Sequence, residues 1–428
     1  LDKKYRKIVI SGIAFNSVLV KKNYIFFAIK GAKFDGNKFI SDAINKGAKV
    51  IVSEKDIKLC NKNIIFLRNK NPRKLLAEIS YKLIKNKPKN LVAVTGTNGK
   101  SSIANFYYQI LTLNNKKAAT IGTLGVRSKE INFDLSNTTI DPIQLAKILK
   151  RLKKHKIDNV IMEASSHGLE QNRLDGLIFN SGIFTNLSQD HLDYHKNFKE
   201  YLKAKLYLFR SLIKKKGNVI TDSKIPEFNK IKKIAKKNFL KLNAIEDKNR
   251  KFKILTHSFL NESQLLKIKY KNIVADIKLN LIGKIQIKNI LMALIAAEKS
   301  GLNLDKILRV IPSLKSVEGR FEKIGTIKNK SKVILDYAHT PDALKTCLIN
   351  LKEQFPEKKI ILLFGCGGNR DQDNRYKMGK IADTFSDKIY LTDDNPRFES
   401  PDKIRKDIKM GVKKTTVIEI SDRAKAID

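Results

Sequence analysis

Short apolar runs separated by polar turns dominate the first part of the chain. The runs "KIVISGIAF", "NYIFFAIKG", "AKVIVSE" and "NIIFLRN" are rich in β-branched and aromatic residues, which favours strands. The stretch "PRKLLAEISYKLI" then spaces its apolar residues as a helix does, and the polar "KNKPKN" that follows is typical of a linker. We therefore expect a strand-rich N-terminal domain over residues 1–88.

From residue 89 the pattern changes to strands that alternate with helices. "LVAVTG" precedes a glycine-rich loop and the helix "SSIANFYYQILTL", and "NVIMEASSHG" is a second apolar run with a small polar end. In the Lys-rich stretch 214–278, only "KKKGNVITD" and "ADIKLNLIG" fit strands. Three more strand-then-loop units follow residue 317, so we expect further domains at 89–317 and 318–428. Such alternation predicts an α/β fold with mostly parallel sheets and ligands at the C-terminal strand ends.

The charge of the chain is strongly positive, with 86 Lys and Arg against 42 Asp and Glu and a net charge of +44. Such an excess first suggests nucleic acid or an anionic membrane as partner. The cations are mostly lysines spread along the chain, whereas surfaces that read bases and phosphates favour Arg. We interpret the excess as compositional drift, and expect no specific nucleic acid and no membrane insertion. Three scattered cysteines and the lack of a signal peptide favour a cytoplasmic protein.

The strongest local signal is "VTGTNGKSS", residues 94–102, between a predicted strand and a predicted helix. Glycines let a backbone wrap around phosphates, the Lys100 ammonium can reach the terminal phosphates, and the Ser101 hydroxyl can bind Mg²⁺. Val94 stands where the general G-x-x-x-x-G-K-[ST] pattern has its first glycine. We interpret the segment as a phosphate-binding loop, with a helix-capping glycine turn as the alternative.

Two more polar segments follow predicted strands. In "EASSHGLEQNR", Glu163 stands at the strand end, where a carboxylate commonly holds Mg²⁺, although the serines also fit a helix N-cap. "TNLSQDHLDYH", residues 185–195, holds two of the six histidines beside two aspartates, which fits either a metal cluster or a polar loop. Lys205 lies in the predicted helix "EYLKAKLYLF", and the residue pattern favours a solvated or snorkelling side chain.

The last third of the chain offers two loops after successive strands, "FGCGGNRD" and "TDDNPRFESP". The glycines of the first loop would let the backbone approach a ligand closely. Arg370 and Arg397 lie in these loops and are predicted to converge on one rim, where paired arginines suit a carboxylate ligand. Ordinary surface arginines are the alternative.

Taken in order, these segments resemble the Mur ligases of bacterial cell-wall synthesis over essentially the whole chain. "GTNGK" alone is shared with sister ligases and with the folylpolyglutamate synthases, whereas "GTNGKSS", "SSHGL", "DHLDYH", "DYAHTPDAL", "FGCGG" and "DNPR" together are similar to the Mur ligases that add meso-diaminopimelate. The resemblance implies a three-domain α/β architecture: an N-terminal domain that binds UDP-MurNAc-dipeptide, a central P-loop-type ATPase domain and a C-terminal Rossmann-like amino-acid-binding domain. It implies a cytoplasmic monomer that uses ATP and Mg²⁺ to join meso-diaminopimelate to UDP-MurNAc-L-Ala-D-Glu through an acyl phosphate.

The resemblance also implies roles for individual residues. The expected ATP-binding residues are Gly96, Thr97, Asn98, Gly99, Lys100, Ser101, Ser102, Asn289, Arg320 and His339. The expected catalytic residues are Lys100, Glu163, His191 and Lys205, and the expected Mg²⁺ ligands are Ser101, Glu163, His191 and Lys205, the last as a carbamate. The UDP-MurNAc-dipeptide is expected at Ser17, Asn137, Thr138, Thr139, Ser165, Gln171 and Arg173. Diaminopimelate is expected at Arg370, Asp394, Asn395, Pro396 and Arg397.

The sequence departs from the family pattern at a few positions. Gln286 replaces the usual Asn three residues before Asn289, "TDSK" at 221–224 replaces an N-x-D-D stretch, and Val18 replaces an arginine often found after Ser17. We expect the family's closing "GKGHE"-type segment beyond residue 428, which leaves the C-terminal domain incomplete here. The alternatives are a lysine-adding Mur ligase, a folylpolyglutamate synthase-like ligase, a basic nucleic-acid-binding P-loop protein and a non-catalytic remnant.

Overall fold

The structure is a computed structural model that describes most of the chain. The described residues are 8–31, 34–57, 63–190, 194–246, 252–270, 272–327, 329–369 and 371–428. Two of the predicted site residues, His191 and Arg370, lie outside these ranges. Among the described residues, no helix has both the length and the apolar character needed to cross a membrane.

The N-terminal strands pair into one four-stranded parallel sheet in the order β1-β2-β3-β4. Its elements are β1 (Gly12–Ala14), β2 (Tyr24–Ala28), α1 (Ile40–Asn45), β3 (Ala48–Ser53), β4 (Ile65–Arg68) and α2 (Pro72–Lys82). Phe27, Val50 and Leu76 are buried together in one apolar cluster of this region. Helix α2 begins where the sequence predicts it, because Pro72 suits the first helical turn and the Asn71 side chain caps the Lys74 N–H.

The central part is built on an eight-stranded sheet in the order β12-β11-β10-β5-β9-β6-β7-β8. Its strands are β5 (Asn90–Thr95), β6 (Ala118–Gly122), β7 (Gly125–Arg127), β8 (Asn132–Phe133), β9 (Asn159–Glu163), β10 (Phe179–Phe184), β11 (Ile213–Asp222) and β12 (Lys241–Ile245). Strands β12 to β6 are parallel, and β7 and β8 add an antiparallel edge. The parallel strands are largely apolar because helices cover both faces of the sheet.

Helices α3 and α8 pack against each other in one apolar core, and α4 belongs to the other. The helices of the central part are α3 (Lys100–Leu113), α4 (Pro142–Lys154), α5 (Ser166–Glu170), α6 (Phe198–Tyr207), α7 (Phe228–Lys237), α8 (Ile285–Lys299) and α9 (Leu304–Val310). A π-helical turn, Leu208–Leu212, continues α6.

The Lys-rich stretch 214–278 contains more structure than its sequence suggests. Besides β11, α7 and β12 it forms most of an antiparallel meander of β13 (Phe252–Leu260), β14 (Ser263–Tyr270) and β15 (Ile273–Leu279). In β14, Leu266, Ile268 and Tyr270 are buried while the intervening lysines are exposed. Lysines on the outward face thus alternate with apolar residues on the inward face, which is the ordinary pattern of a strand covered on one side.

The C-terminal part combines a hairpin with a three-stranded parallel sheet in the order β18-β19-β20. Its elements are β16 (Glu322–Thr326), β17 (Lys332–Leu335), α10 (Pro341–Gln354), β18 (Ile361–Phe364), α11 (Asp373–Phe385), β19 (Lys388–Leu391), α12 (Pro401–Lys409), β20 (Thr416–Glu419) and α13 (Arg423–Ile427). Leu348, Met378, Ile389 and Ile408 belong to its core. The loops after β18 and β19 leave the same edge of this sheet, because the two strands are parallel neighbours.

Candidate active site

The C-terminal ends of four neighbouring strands in the central sheet carry polar residues. Strands β10, β5, β9 and β6 lie side by side and are parallel. The residues that follow them therefore meet at one edge, which is the usual ligand-binding edge of an open α/β sheet. The loop 96–102 follows β5 and leads directly into α3.

The glycines of this loop are required by close contacts. Gly96 has φ 143°, and a Cβ there would lie 1.8 Å from Oγ1 of Thr185. Gly99, at the start of α3, has φ 85°, and a Cβ there would lie 2.8 Å from Oδ1 of Asn289. A side chain at either position would thus collide with a neighbour while adopting a backbone conformation that favours glycine.

The end of β10 anchors the loop through hydrogen bonds. The Asn98 N–H donates to Oδ1 of Asn186 at 2.9 Å, and the Thr185 hydroxyl donates to the Asn98 carbonyl at 2.6 Å. The Ser188 N–H donates to the Thr97 hydroxyl at 3.0 Å. From the sequence, segment 185–195 was of interest for its histidines and aspartates, and its contacts with the loop 96–102 were not predicted. The signal that could have found them is a run of polar residues directly after a buried strand.

Two lysine side chains meet at one carbonyl oxygen of the loop. Nζ of Lys100 donates to the carbonyls of Gly96 and Thr97 at 3.0 and 2.7 Å. Nζ of Lys205 donates to the same Gly96 carbonyl at 2.8 Å and lies 4.4 Å from the ring centroid of Tyr201. Burial lowers the pKa of both lysines, and the charge of Lys100 lowers that of Lys205 further.

The interpretation of Lys205 as a solvated or snorkelling lysine, drawn from its sequence neighbours, is wrong. Its exposed fraction is 1%. The reason is tertiary, because α6 turns this residue towards the strand ends instead of towards solvent. The resemblance to the Mur ligases was the only sequence-level reason to expect an unusual role here.

Glu163 is the last residue of β9, and its buried carboxylate accepts hydrogen bonds from Ser101 and Thr123. The Ser101 hydroxyl donates to its Oε1 at 2.9 Å. Thr123 donates twice, from its N–H to Oε1 at 3.0 Å and from its hydroxyl to Oε2 at 3.1 Å. Gly122 leaves room for this carboxylate, since a Cβ there would lie 2.3 Å from Oε1. Sequence reasoning missed Thr123, although it directly follows a strand at the same edge.

Oxygen donors suited to Mg²⁺ are therefore present at Ser101 and Glu163. Lys205 does not fit as it stands, because its ammonium donates a hydrogen bond and offers Mg²⁺ no oxygen. Within the described ranges, no three His, Cys, Asp or Glu side chains form a cluster that could hold a metal. His191 and Asp193 lie outside those ranges, so segment 185–195 stays open between a metal cluster and a polar loop.

Arg320 brings a third cation towards the loop. Its guanidinium donates to the Gly319 carbonyl at 3.0 Å and lies 4.3 Å from the ring centroid of Tyr337. Burial lowers the pKa of Arg320, while the charges of Asp336 and Glu163 oppose that shift. Arg320, which is predicted to contact the nucleotide, thus lies close enough to Glu163 at the end of β9 for the two charges to interact.

Gln286, one of the departures from the family pattern, connects two of the predicted nucleotide residues. Its Oε1 accepts from Nδ2 of Asn289 at 2.9 Å, and its Nε2 donates to the Arg320 carbonyl at 3.2 Å. Gln286 therefore joins Asn289 to the Arg320 backbone.

His339, another residue predicted to contact the nucleotide, is exposed, with Nδ1 3.0 Å from the Tyr337 carbonyl oxygen.

Several residues predicted to bind the UDP-MurNAc-dipeptide form a second group beside Glu163. The Thr139 hydroxyl donates to the Glu163 carbonyl at 2.9 Å and accepts from the Ser165 N–H at 2.9 Å. The Arg173 guanidinium donates to the Thr139 carbonyl and, at 2.8 Å, to Oε1 of Gln171. The structure thus joins this group to the Glu163 backbone.

The remaining members of this predicted group differ in their surroundings. The Thr138 and Thr123 hydroxyl oxygens are 3.0 Å apart, which extends the group to the strand end. Ser165 caps α5 by accepting from the Gly168 N–H at 3.1 Å, so the N-cap alternative also holds for this serine. Asn137 is exposed beside this group.

Ser17 lies apart from that cluster, in the N-terminal part. It is buried, and its hydrogen bond to Asp42 lowers the pKa of that carboxyl. Helix α2 links the N-terminal part to the cluster, because the Tyr81 hydroxyl donates to the Arg173 carbonyl at 2.6 Å. Packing of the two parts therefore bears directly on the loop that carries Arg173.

The loops after β18 and β19 are interlocked, as the prediction of a shared rim requires. The Gly368 N–H donates to the Asn395 carbonyl at 2.8 Å, and the Phe398 N–H donates to Oδ1 of Asn369 at 3.1 Å. The guanidinium of Arg397 donates to the Gly368 carbonyl. The "DNPR" segment therefore packs directly on the "FGCGG" loop.

The rim itself is open to solvent. Asp394, Asn395 and Arg397 are exposed and Pro396 is half-buried, whereas Arg370 lies outside the described residues. A hydrogen bond of 3.2 Å from Nδ2 of Asn98 to Oδ2 of Asp342 connects the loop 96–102 to the C-terminal part. The loop 96–102 and the start of α10 are thus in direct contact.

Comparison with protein families finds matches along most of the chain. Residues 9–82 match the Mur ligase family catalytic domain. Residues 94–297 match the Mur ligase middle domain. Residues 319–428 match the Mur ligase glutamate ligase domain.

Individual relatives agree with these matches. Proteins named UDP-N-acetylmuramoyl-L-alanyl-D-glutamate--2,6-diaminopimelate ligase are similar, at 38% identity in Rickettsia typhi and 39% in Rickettsia bellii. Both alignments cover 100% of this chain, and 86% and 89% of the respective relatives. A solved structure of a ligase with the same name superposes with a TM-score of 0.75 at 29% identity, covering 100% of this chain and 88% of that one. MurF from Thermotoga maritima in complex with ADP shares the fold, with a TM-score of 0.64 at 19% identity and coverage of 98% and 95%.

Proposed function

The chain belongs to the Mur ligase family, and we propose that it joins 2,6-diaminopimelate to the D-Glu of UDP-N-acetylmuramoyl-L-alanyl-D-glutamate at the expense of ATP. Relatives that carry this activity in their names match the chain from end to end. The observation that carries the proposal is that Lys100 and Lys205 meet at the Gly96 carbonyl, at the same edge of the sheet as the hydrogen-bonded pair of Ser101 and Glu163. Clustered cations beside a buried carboxylate suit phosphoryl transfer between anionic groups.

We assign ATP to the loop 96–102 and the groups around it. Backbone N–H groups at the start of α3 would bind the phosphates, and Lys100 would leave its two carbonyl partners for the transferring phosphate. Asn289, Arg320 and the exposed His339 would contact the nucleotide and its phosphates. MurF from Thermotoga maritima, which was solved with ADP, has the same fold.

We assign Mg²⁺ to Ser101 and Glu163, whose oxygens are 2.9 Å apart, together with His191. When bound there, Mg²⁺ would neutralise the negative charge that builds up on the phosphate oxygens. Glu163 is already oriented for this by the two hydrogen bonds from Thr123.

We propose that Lys205 carries a carbamate. Its ammonium group would first lose a proton. The neutral amine would then attack carbon dioxide, form an N–C bond and lose a second proton, which converts a buried cation into an anion with two oxygens. The change would relieve the repulsion between Lys205 and Lys100 at the Gly96 carbonyl, and would supply oxygen ligands for a second Mg²⁺.

The reaction then follows from what these groups would hold in place. The terminal phosphate of ATP passes to an oxygen of the D-Glu side-chain carboxylate, which gives an acyl phosphate and ADP. The amine of diaminopimelate attacks the carbonyl carbon, the C–N bond forms, the bond to phosphate breaks and the amine loses a proton. Lys100 and Arg320 would offset the charge that gathers on the phosphate during both steps.

We assign the two organic substrates to the two remaining groups of residues. The UDP-MurNAc-dipeptide would contact Ser17, Asn137, Thr138, Thr139, Ser165, Gln171 and Arg173. Diaminopimelate, as its meso isomer, would contact Arg370 and the segment Asp394, Asn395, Pro396 and Arg397. The hydrogen bond between Asn98 and Asp342 supports an arrangement in which the C-terminal part lies against the proposed ATP loop. We further propose that residues 1–88, 89–317 and 318–428 act as separate domains of a cytoplasmic monomer.

One assay tests the proposal. Purified protein is incubated with ATP, Mg²⁺, UDP-N-acetylmuramoyl-L-alanyl-D-glutamate and either meso-diaminopimelate or L-lysine, and phosphate release and the tripeptide product are measured. We expect product with diaminopimelate and little with lysine. A strong preference for lysine would refute the assignment of diaminopimelate to the "DNPR" segment. Neither product nor phosphate release with either amino acid would refute the ligase activity.

A further inference from the structure

Two buried arginines hold the two ends of the segment that carries the "DNPR" motif. Arg375, on the first turn of α11, has an exposed fraction of 1%, and Arg405, on α12, has one of 6%. A guanidinium is costly to bury unless carboxylates and hydrogen bonds compensate its charge. The partners of these two arginines therefore show what each one holds.

Arg375 fixes the end of the segment. Its guanidinium donates to both carboxylate oxygens of Glu399 at 2.9 Å, and to Oδ2 of Asp407 at 3.0 Å. The same Glu399 carboxylate accepts the backbone N–H of Asn369. One carboxylate thus ties the "FGCGG" loop and the "DNPR" segment to a single buried cation.

Arg405 fixes the start of the segment. Its guanidinium donates to the carboxylates of Asp393 and Asp402, and at 2.8 Å to Oε1 of Glu419 on β20. Asp393 directly precedes Asp394, and its own N–H donates to the Ser421 carbonyl at 3.0 Å. The first residue of the segment is therefore tied to both α12 and the end of β20.

Between its two ends the segment packs backbone against backbone on the neighbouring loop. A Cβ at Gly365 would lie 2.2 Å from the Thr392 carbonyl oxygen, and one at Gly368 would lie 1.9 Å from that of Pro396. Arg397 has φ 50°, in the left-handed region. A backbone in such contact has little freedom to relax by itself, so release of either end would shift the exposed side chains of the motif.

We infer that Arg375 and Arg405 are positioning residues that set the affinity and selectivity for the incoming amino acid. They act through Glu399 and Asp393 and have no contact with substrate of their own. The inference rests on the proposed function, because it takes the rim at 394–397 as the diaminopimelate site.

The test compares Arg375→Lys, Arg405→Lys and Glu399→Gln with wild type and with a matched control. Lysine keeps the charge but lacks the several nitrogens with which each guanidinium bridges different carboxylates, and Gln keeps an acceptor for the Asn369 N–H but loses the charge. Asp383→Asn is the control, since Asp383 also lies on α11 and accepts backbone N–H groups, from Lys414 and Thr415, away from the rim. For each protein, kcat and the KM values for diaminopimelate, ATP and the UDP substrate are measured, together with the diaminopimelate-to-lysine ratio of kcat/KM.

We expect the KM for diaminopimelate to rise about tenfold in each arginine variant and in Glu399→Gln, and the diaminopimelate-to-lysine ratio to fall. The KM values for ATP and for the UDP substrate should stay within about twofold of wild type, because a substitution usually has little effect on a distant site with which it shares no partners. Asp383→Asn should behave as wild type in all five measurements.

The outcomes separate this inference from the proposed function. Wild type without activity on diaminopimelate would refute the proposed function itself. Active wild type, with an unchanged KM for diaminopimelate in the variants, would overturn only the positioning role. If kcat falls and all three KM values rise together in the variants, or if Asp383→Asn changes as much as they do, the arginines serve general stability. That result would also overturn the positioning role. If an arginine variant fails to fold, Glu399→Gln decides alone.

Discussion

Lys100 and Lys205 donate hydrogen bonds to the same acceptor, the carbonyl oxygen of Gly96, at 3.0 and 2.8 Å. Two ammonium groups this close repel each other, and burial of both groups strengthens that repulsion. An anion that enters the site relieves it, whether the anion is a phosphate of ATP or a carbamate on Lys205. The pair therefore concentrates positive potential where the proposed reaction gathers negative charge.

We predict that Lys205→Ala lowers kcat by about 100-fold or more, because one preorganised electrostatic group at the reacting phosphate is lost. A short-chain carboxylic acid added to this variant should restore part of the activity, since its carboxylate can occupy the place of the carbamate. Lys203→Ala is the matched control, because Lys203 lies on the same helix with 63% of its side chain exposed. Wild-type activity of Lys205→Ala would reject the carbamate.

We predict that Glu163→Gln lowers kcat by about 100- to 1000-fold and raises the Mg²⁺ concentration needed for half-maximal activity. The amide keeps the shape of the side chain but removes the charge that Ser101 and Thr123 now orient. Titration of phosphate release with Mg²⁺ measures both effects. Glu200→Gln, at a more exposed carboxylate, should leave the titration unchanged. An unaltered Mg²⁺ dependence in Glu163→Gln would contradict the assignment.

We predict that Gly96→Ala destabilises the protein by at least about 2 kcal/mol and impairs ATP binding, because the new methyl group meets Thr185 at a φ that favours glycine. Thermal unfolding with and without ATP measures both losses. Gly325→Ala is the control, since a Cβ at Gly325 would meet nothing within 4 Å. Equal melting temperatures for the two variants would show that the loop adjusts freely.

We predict a pH-dependent effect of Asp175→Asn on stability. Burial raises the pKa of Asp175, which accepts hydrogen bonds from Tyr207 at 2.6 Å and Asn172 at 3.2 Å. The folded state therefore holds this proton more tightly than the unfolded state, whose carboxyl has a pKa of about 3.9. Wild-type stability falls as pH rises through the raised value, and the variant lacks that loss.

The melting temperature of Asp175→Asn relative to wild type should therefore rise with pH across the acidic range and then level off. Thermal unfolding of both proteins between about pH 4 and 7 measures this difference, in which the titrations common to both cancel. Asp134→Asn controls for the change in charge, because 88% of the Asp134 side chain is exposed. A difference that does not vary with pH would contradict the prediction.

Local patterns were sufficient for several parts of this protein. The helix expected after "GTNGK" is α3, and the strand expected to end at Glu163 is β9. Apolar periodicity and glycine positions are properties of neighbouring residues, so the sequence displays them directly. The meander of β13, β14 and β15 was only partly predicted, although the apolar residues of β14 alternate with lysines as a strand covered on one side requires.

The sequence alone therefore determined the glycine-rich loop before α3, the alternation of strands and helices, and the resemblance that led to the family. Only the tertiary structure decided that Lys205 is buried at the Gly96 carbonyl, 109 positions away along the chain, and that Thr123 and Thr185 support the site. It also decided that Arg375 and Arg405 are buried at the ends of the "DNPR" segment. Burial and partners of a polar side chain depend on how distant elements pack, and no local pattern of residues encodes that.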